Sequence, residues 1–217
     1  MGRVTEVIRL HLAELSVLET PWPVHGFVIL HPQLGAVLVD TGCGGPEALL
    51  REFRVVNRSI AEALAEHDLS PADVRVVINT HLHFDHCGQN PAFAHARLYT
   101  QRTELDRVRR EEPDVHEWLE HAGVRFELLD GDTTLADDIT IVITPGHTLG
   151  HQSVIARTER GTEIFVGDAA YTRRIWETRG DVRTLPPGQA ADIEAWRASL
   201  RDLRDRDPAH LHFCHDT

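Results

Sequence analysis

The apolar run VRVVI, residues 74–78, is followed at once by NTHLHFDHCG, which packs three histidines and an aspartate into the six positions His81 to His86. A short aliphatic run bounded by turn residues reads as a buried strand. Ionisable side chains gathered at its exit need water, or a shared partner that satisfies all of them. A metal ion is such a partner, because zinc is held by imidazole nitrogens and carboxylate oxygens. His81 and His83, two apart, point the same way from extended backbone, while Asp85 and His86 lie just past the turn, within reach of a second ion. One His-x-His pair is a weak signal. The four-membered His-x-His-x-Asp-His behind a strand is far more specific.

The same arrangement recurs along the chain. DDITIVITPGH is a strand leading to His147, SVIART-ERG-TEIFVGD is a hairpin whose second strand ends on Asp168, and HLHFCHD is a last strand whose exit carries His215. Upstream, VIRLHLAEL, GFVILH and GAVLVD read as strands, SIAEALAEHDL as a helix, and RLYTQ and FELLDG as strands flanking the helical TELDRVRRE and HEWLEHAG. A further helix is expected after Gly88. In DIEAWRASLRDLRDR, the residues Ile193, Trp196, Leu200 and Leu203 recur at helical spacing and predict one apolar stripe. Strands and helices in this order, with His and Asp at the strand exits, predict a mixed α/β sandwich with its chemistry along one edge. Its 217 residues suit one domain, 1–217.

Composition narrows the function classes. A net charge of −12 disfavours nucleic acid, whose phosphates are normally met by Lys and Arg. Cys43, Cys87 and Cys214 are an odd number in a long chain, which fits a reducing compartment rather than a disulfide framework. Residues 1–9 show no apolar signal region and no window is long and apolar enough to span a membrane, so a cytoplasmic protein without a membrane partner is expected.

These motifs together resemble the metallo-β-lactamase superfamily: DTG at Asp40 to Gly42, HLHFDH at His81 to His86, PGH at Pro145 to His147, GD at Gly167 to Asp168, and CHD at Cys214 to Asp216. Within it, HLHFDH, TPGHTLGHQS and GDAAYT are similar to phrases of the N-acyl homoserine lactonases and related lactonases. The resemblance implies an α/β, four-layer αβ/βα sandwich with two mixed β-sheets, and two divalent metal ions. Zinc is the first expectation, with iron or cobalt also suited to such ligands. It implies that His81, His83 and His147 hold one ion, that Asp85, His86 and His215 hold the other, and that Asp168 bridges them. Asp40 matches a buried aspartate that organises the ligand loops.

The implied activity is a metal-dependent opening of a lactone, N-acyl homoserine lactones and hence quorum quenching included. Water shared by two cations ionises near neutral pH, and the resulting hydroxide would attack an ester carbonyl. Tyr171, matching a tyrosine that touches the substrate carbonyl, would help stabilise the oxyanion, and Asp85 would pass a proton to the leaving alkoxide. The alternatives are a thioester hydrolase of the glyoxalase II type and a non-catalytic metal-binding module. Glyoxalase II relatives usually add a basic C-terminal helical domain, whereas this chain ends two residues beyond His215.

Other residues are expected to play supporting parts. Packing is the expectation for Cys87 and Cys214, and a structural place on the last strand for His210 and His212. His151 would support the His147 loop, and Phe84 would form an apolar wall beside the metals. Trp22, Pro23 and Phe27 could line a pocket or simply fill the core. Gln89 stands where the family often has a second glycine.

Overall fold

Alternating burial along the strands produces the layers. In the strand carrying VRVVI, Val76 and Ile78 enter one apolar cluster and Val77 another, on the opposite face. A sheet buried on both faces must be covered on both, and the chain provides two sheets with helices outside each.

The computed structural model describes residues 4, 6–17, 19–186 and 188–217. Its elements follow in the order β1 (Glu6–Val17), β2 (Thr20–His31), β3 (Gly35–Val39), α1 (Glu47–Glu52), β4 (Val56–Asn57), α2 (Ile60–Ala65), β5 (Val74–Ile78), α3 (Phe84–Cys87), β6 (Arg97–Gln101) and α4 (Arg102–Glu111). Then come α5 (Pro113–His121), β7 (Phe126–Leu129), β8 (Thr133–Ala136), β9 (Ile139–Ile143), β10 (Gln152–Thr158), β11 (Gly161–Phe165), α6 (Arg173–Glu177), α7 (Ile193–Asp205) and β12 (His210–His212).

One sheet has seven strands in the order β4-β1-β2-β3-β5-β6-β7, the other five in the order β12-β11-β10-β9-β8. Both are mixed. In the first, β1, β2, β3 and β4 pair antiparallel and β3, β5, β6 and β7 pair parallel; in the second only β11 and β12 are parallel. Phe27, Ile29, Val39, Ile78, Ile141 and Phe165 fill the space between the sheets. Leu64, Leu105, Val108 and Leu119 from α2, α4 and α5 cover the outer face of the larger sheet. Trp176, Trp196, Leu200 and Leu203 from α6 and α7 cover the smaller one. The result is the four-layer αβ/βα sandwich expected.

Several local expectations change. The helix expected after Gly88 is a short 3-10 helix at Asn90–Phe93, and α3, a single turn that ends before Gly88, contains Asp85 and His86. β11 stops at Phe165, so Asp168 sits in a 3-10 turn beyond the strand rather than on its end. Ile193 opens α7 but is 42% exposed, and the buried stripe starts one turn on at Trp196. The elements α1, β4, β8 and α6 lie where no strand or helix is expected from the sequence. Among the described residues no helix is long and apolar enough to cross a membrane.

Candidate metal centre

The site forms where strand exits from both sheets meet. Asp40 follows β3, the HLHFDH segment follows β5, His147 follows β9, Asp168 follows β11 and His215 follows β12. Parallel pairing of β3 with β5 brings the first two exits to the same edge, and the Asp40 amide donates to the Ile78 carbonyl at 3.0 Å.

Asp40 is fully buried and holds φ of +59°, a conformation that costs a non-glycine residue energy. Its carboxylate shows what offsets this. Oδ1 accepts from the Thr80 amide at 2.7 Å, and Oδ2 accepts from the Thr80 hydroxyl and from His86 Nδ1, both at 2.8 Å. A second close approach clamps the same loops. A Cβ added to Gly88 would lie 1.8 Å from the Gly44 nitrogen, so only glycine lets the β3–α1 loop rest on the end of α3. Gln89, next along, accepts from the Ile60 amide at 2.7 Å and donates to the Arg58 carbonyl at 2.9 Å, capping α2. A glycine there would leave both groups without that partner.

Two groups of donors converge inside this frame. His81, His83, His147 and Asp168 form one, and Asp85, His86 and His215 form the other, each with its ligand atoms within 4.8 Å of one another. His81 Nε2 is 2.8 Å from His83 Nδ1 and 3.2 Å from His147 Nε2, and His147 Nε2 is 3.1 Å from His83 Nδ1. Asp85 Oδ2 lies 3.7 Å from Nε2 of both His86 and His215. Asp168 reaches both groups: Oδ2 is 3.4 Å from His147 Nε2 and 3.5 Å from His86 Nε2, and Oδ1 is 3.5 Å from His215 Nε2. All seven residues expected to be ligands are therefore brought together.

The outer nitrogens set the tautomers. His86 Nδ1 donates to Asp40, His215 Nδ1 to the Pro23 carbonyl at 2.8 Å and His147 Nδ1 to the Gln189 carbonyl at 3.3 Å, which turns each Nε2 lone pair inward. Bare imidazole lone pairs about 3 Å apart repel unless a cation lies among them. His86 Nε2 and Asp168 Oδ1, both buried, find no hydrogen-bond partner among the described residues, a cost that buried polar atoms rarely carry without a purpose. The donor set fits divalent cations. Its electrostatics agree: burial and neighbouring histidines hold His81 well below the usual imidazole range, and burial lowers His147 to about 4. Burial also opposes charge on His86, but Asp168, Asp85 and Asp40 outweigh it and push its pKa well up. Positive charge is demanded at the centre of the site.

The supporting residues divide clearly. His151 accepts from the Asp168 amide through Nε2 at 2.9 Å, while its Nδ1 lies 2.8 Å from the Thr144 hydroxyl and 3.1 Å from the Thr144 carbonyl. It braces the Asp168 loop as well as the His147 loop. His212 pairs with buried Glu163 at 2.8 Å and stacks on Phe165, away from the donors. Cys43, Cys87 and Cys214 are free and buried. Burial pushes the Cys214 thiol up to about 12, and its sulfur lies 3.8 Å from Asp40 Oδ2. Phe27 belongs to the inter-sheet core and Pro23 contributes its carbonyl, whereas Trp22 does line a pocket.

That pocket opens directly over the donors. It has a volume of about 340 Å³, with His83, Asp85, His147, Asp168 and His215 at its floor and Leu15, Trp22, Leu49, Phe53 and Phe84 among its walls. Phe84 packs on Phe53 with ring centroids 5.0 Å apart. Tyr171 enters from the side, its hydroxyl 3.5 Å from His147 Nδ1 and its ring edge-on to Trp22 at 5.3 Å. Among the described residues, neither lysine nor arginine lines the cavity. The sequence reading missed Glu104 and Glu112. Both sit in an ordinary amphipathic stretch with no motif around them, yet Glu104 is fully buried beside the histidines and Glu112 lines the pocket.

A family model of the metallo-β-lactamase superfamily matches residues 20–215. The N-acyl homoserine lactonase AttM of Rhizobium johnstonii is 30% identical over 222 aligned residues, covering 89% of this chain and 82% of its own. The N-acyl homoserine lactonase AiiA of Bacillus thuringiensis subsp. kurstaki is 29% identical over 208 residues, covering 87% of this chain and 79% of its own. A solved N-acyl homoserine lactone hydrolase, with the product N-hexanoyl-L-homoserine bound at its catalytic metal centre, superposes with a TM-score of 0.78 at 24% identity, covering 99% of this chain and 94% of that one. A match running from β2 to the last of the converging histidines, on a sandwich of this topology, makes the chain a member of the metallo-β-lactamase superfamily.

Proposed function

We propose that this metal-dependent ester hydrolase opens lactones, N-acyl homoserine lactones among them, and that residues 1–217 work as one hydrolase domain. His81, His83 and His147 would hold one divalent ion, Asp85, His86 and His215 a second, and Asp168 both, with zinc the first expectation. Two such cations would supply an ionised water at neutral pH and polarise an ester carbonyl. Support for the single domain comes from the ligands themselves, which are drawn from strands of both sheets.

The chain's own residues have distinct parts in this reading. Burial, reinforced by the Asp168 and Asp85 carboxylates, pushes the Tyr171 phenol far up, so it keeps its proton at neutral pH and can donate to a developing oxyanion. Asp85 is half-buried at the cavity floor, where a carboxylate can carry a proton to the departing alkoxide. Trp22, Leu49, Phe53 and Phe84 exclude water and receive an apolar acyl group.

The observation that carries the reading is the position of Asp168 between two donor groups, at the floor of an apolar cavity that no cationic side chain lines among the described residues. A neutral lactone suits that cavity. An anionic thioester such as a glutathione conjugate, or a β-lactam carrying a carboxylate, would meet Asp85, Asp168 and Glu112 with no Lys or Arg among the described lining residues to counter its charge. The test is elemental analysis of the purified protein, followed by a panel of lactones, thioesters and β-lactams. Lactone opening abolished by chelation and restored by zinc supports the proposal. Equal activity with and without metal, or a preference for anionic thioesters, sinks it.

A further inference from the structure

The three-histidine group leans on α4 in a way that no ligand motif records. Glu104, three positions into that helix, is wholly buried. Its Oε1 accepts from the Leu82 amide at 3.1 Å, between His81 and His83. Its Oε2 accepts from the Thr148 hydroxyl at 2.6 Å, next to His147. One carboxylate thus ties together the two loops that carry the three histidines. A buried carboxylate needs a counter-charge, and Arg107, one turn on, supplies it with Nε at 3.0 Å and Nη2 at 2.7 Å from Oε1.

Arg107 then reaches outward. Its Nη1 donates to Glu112 Oε1 at the junction of α4 and α5, and the same oxygen lies 3.4 Å from His83 Nε2. His83 differs from the other histidines of the site. Its Nδ1 faces the donor cluster, so Nε2 is the nitrogen that needs an outer acceptor, and Glu112 stands there. A carboxylate on the outer nitrogen of a ligating imidazole fixes its tautomer and raises its basicity, and losing one typically lowers metal affinity 10–100-fold.

We infer that the chain Glu104–Arg107–Glu112 is a positioning device for the three-histidine half of the metal centre, with Glu112 acting on His83 as Asp40 acts on His86. The two halves are then tuned from different elements: Asp40 from the end of β3, Glu112 from the end of α4. The inference rests on the ligand assignment proposed above.

Zinc titration of the metal-free protein against a colorimetric chelator tests it. The His147→Ala variant identifies the binding step that belongs to the three-histidine half. Glu112→Gln should weaken that step tenfold or more and leave the other within about twofold, while Asp40→Asn should show the reverse pattern. Glu112→Asp, which keeps the charge, should recover part of the loss. In the His147→Ala background Glu112→Gln should change nothing further. Thermal melting of the metal-free variants separates lost positioning from lost folding. Unchanged steps in Glu112→Gln, or equal weakening of both, overturn the inference. A wild-type protein that binds no zinc refutes the ligand assignment itself.

Discussion

Asp168 and Tyr171 are the residues on which the proposed chemistry turns. Asp168 is a carboxylate placed between both donor groups. Asp168→Asn should lower zinc content at both sites in elemental analysis, whereas loss of a ligand to one ion alone would spare the other. Tyr171 offers a protonated hydroxyl at the cavity wall. Tyr171→Phe should lower kcat for lactone opening by about 10²–10³, the usual cost of removing one oxyanion donor, with metal content unchanged. A rise in KM alone, or loss of metal, would show that Tyr171 serves binding or ligation instead. At this scale the converging His and Asp side chains were legible in the sequence because donor chemistry requires particular residue types at strand exits. Glu104 and Glu112 were not, since an acidic residue in a helix is ordinary until its neighbours across the fold are known.

At the scale of elements, α7 holds the loops that carry His147 and Asp168. Gly146, with φ of +141°, lies so close that a Cβ would sit 2.3 Å from the Trp196 Cα. The Asp192 amide donates to the Gly146 carbonyl at 3.0 Å, and Trp196 Nε1 donates to the Ala169 carbonyl at 2.6 Å, one residue beyond Asp168. Gly146→Ala should therefore destabilise by about 1–3 kcal/mol or more, as overpacking does, and displace His147. Chemical denaturation and zinc content would read the two effects. A variant with wild-type midpoint and metal content would show that the loop can step aside. The strands RLYTQ and GFVILH were expected from their composition, but β4 has two residues and α6 five, too short for any periodicity to emerge. Ile193 shows the converse: the helical spacing is real, yet burial depends on what packs against each turn, which the spacing does not report.

For the whole molecule, metal binding and folding should be linked. Ligands that bind only the folded state stabilise it by RT ln(1 + [L]/Kd), about 2.7 kcal/mol when free zinc is a hundred times Kd, so chelation should lower Tm and added zinc restore it. The metal-free protein should also weaken in acid. Burial, with Arg9 adding to it, lowers His25 from 6.5 to about 4. Between those values the unfolded chain binds a proton that the folded chain refuses, so stability falls as pH drops from 6.5 towards 4. Melting temperatures of the chelated protein across that window check the sign, and a flat profile for wild type and His25→Gln alike would refute it. The sequence by itself determined the donor chemistry and the alternation of strands and helices, because both follow from local residue type and spacing. The resemblance implied how those donors would group, and only the tertiary structure brought them together and put supporting groups behind them. The positions of Asp168 between two triads and of Glu112 behind His83 depend on contacts between residues far apart in the chain, which the packing of the two sheets and α4 brings about.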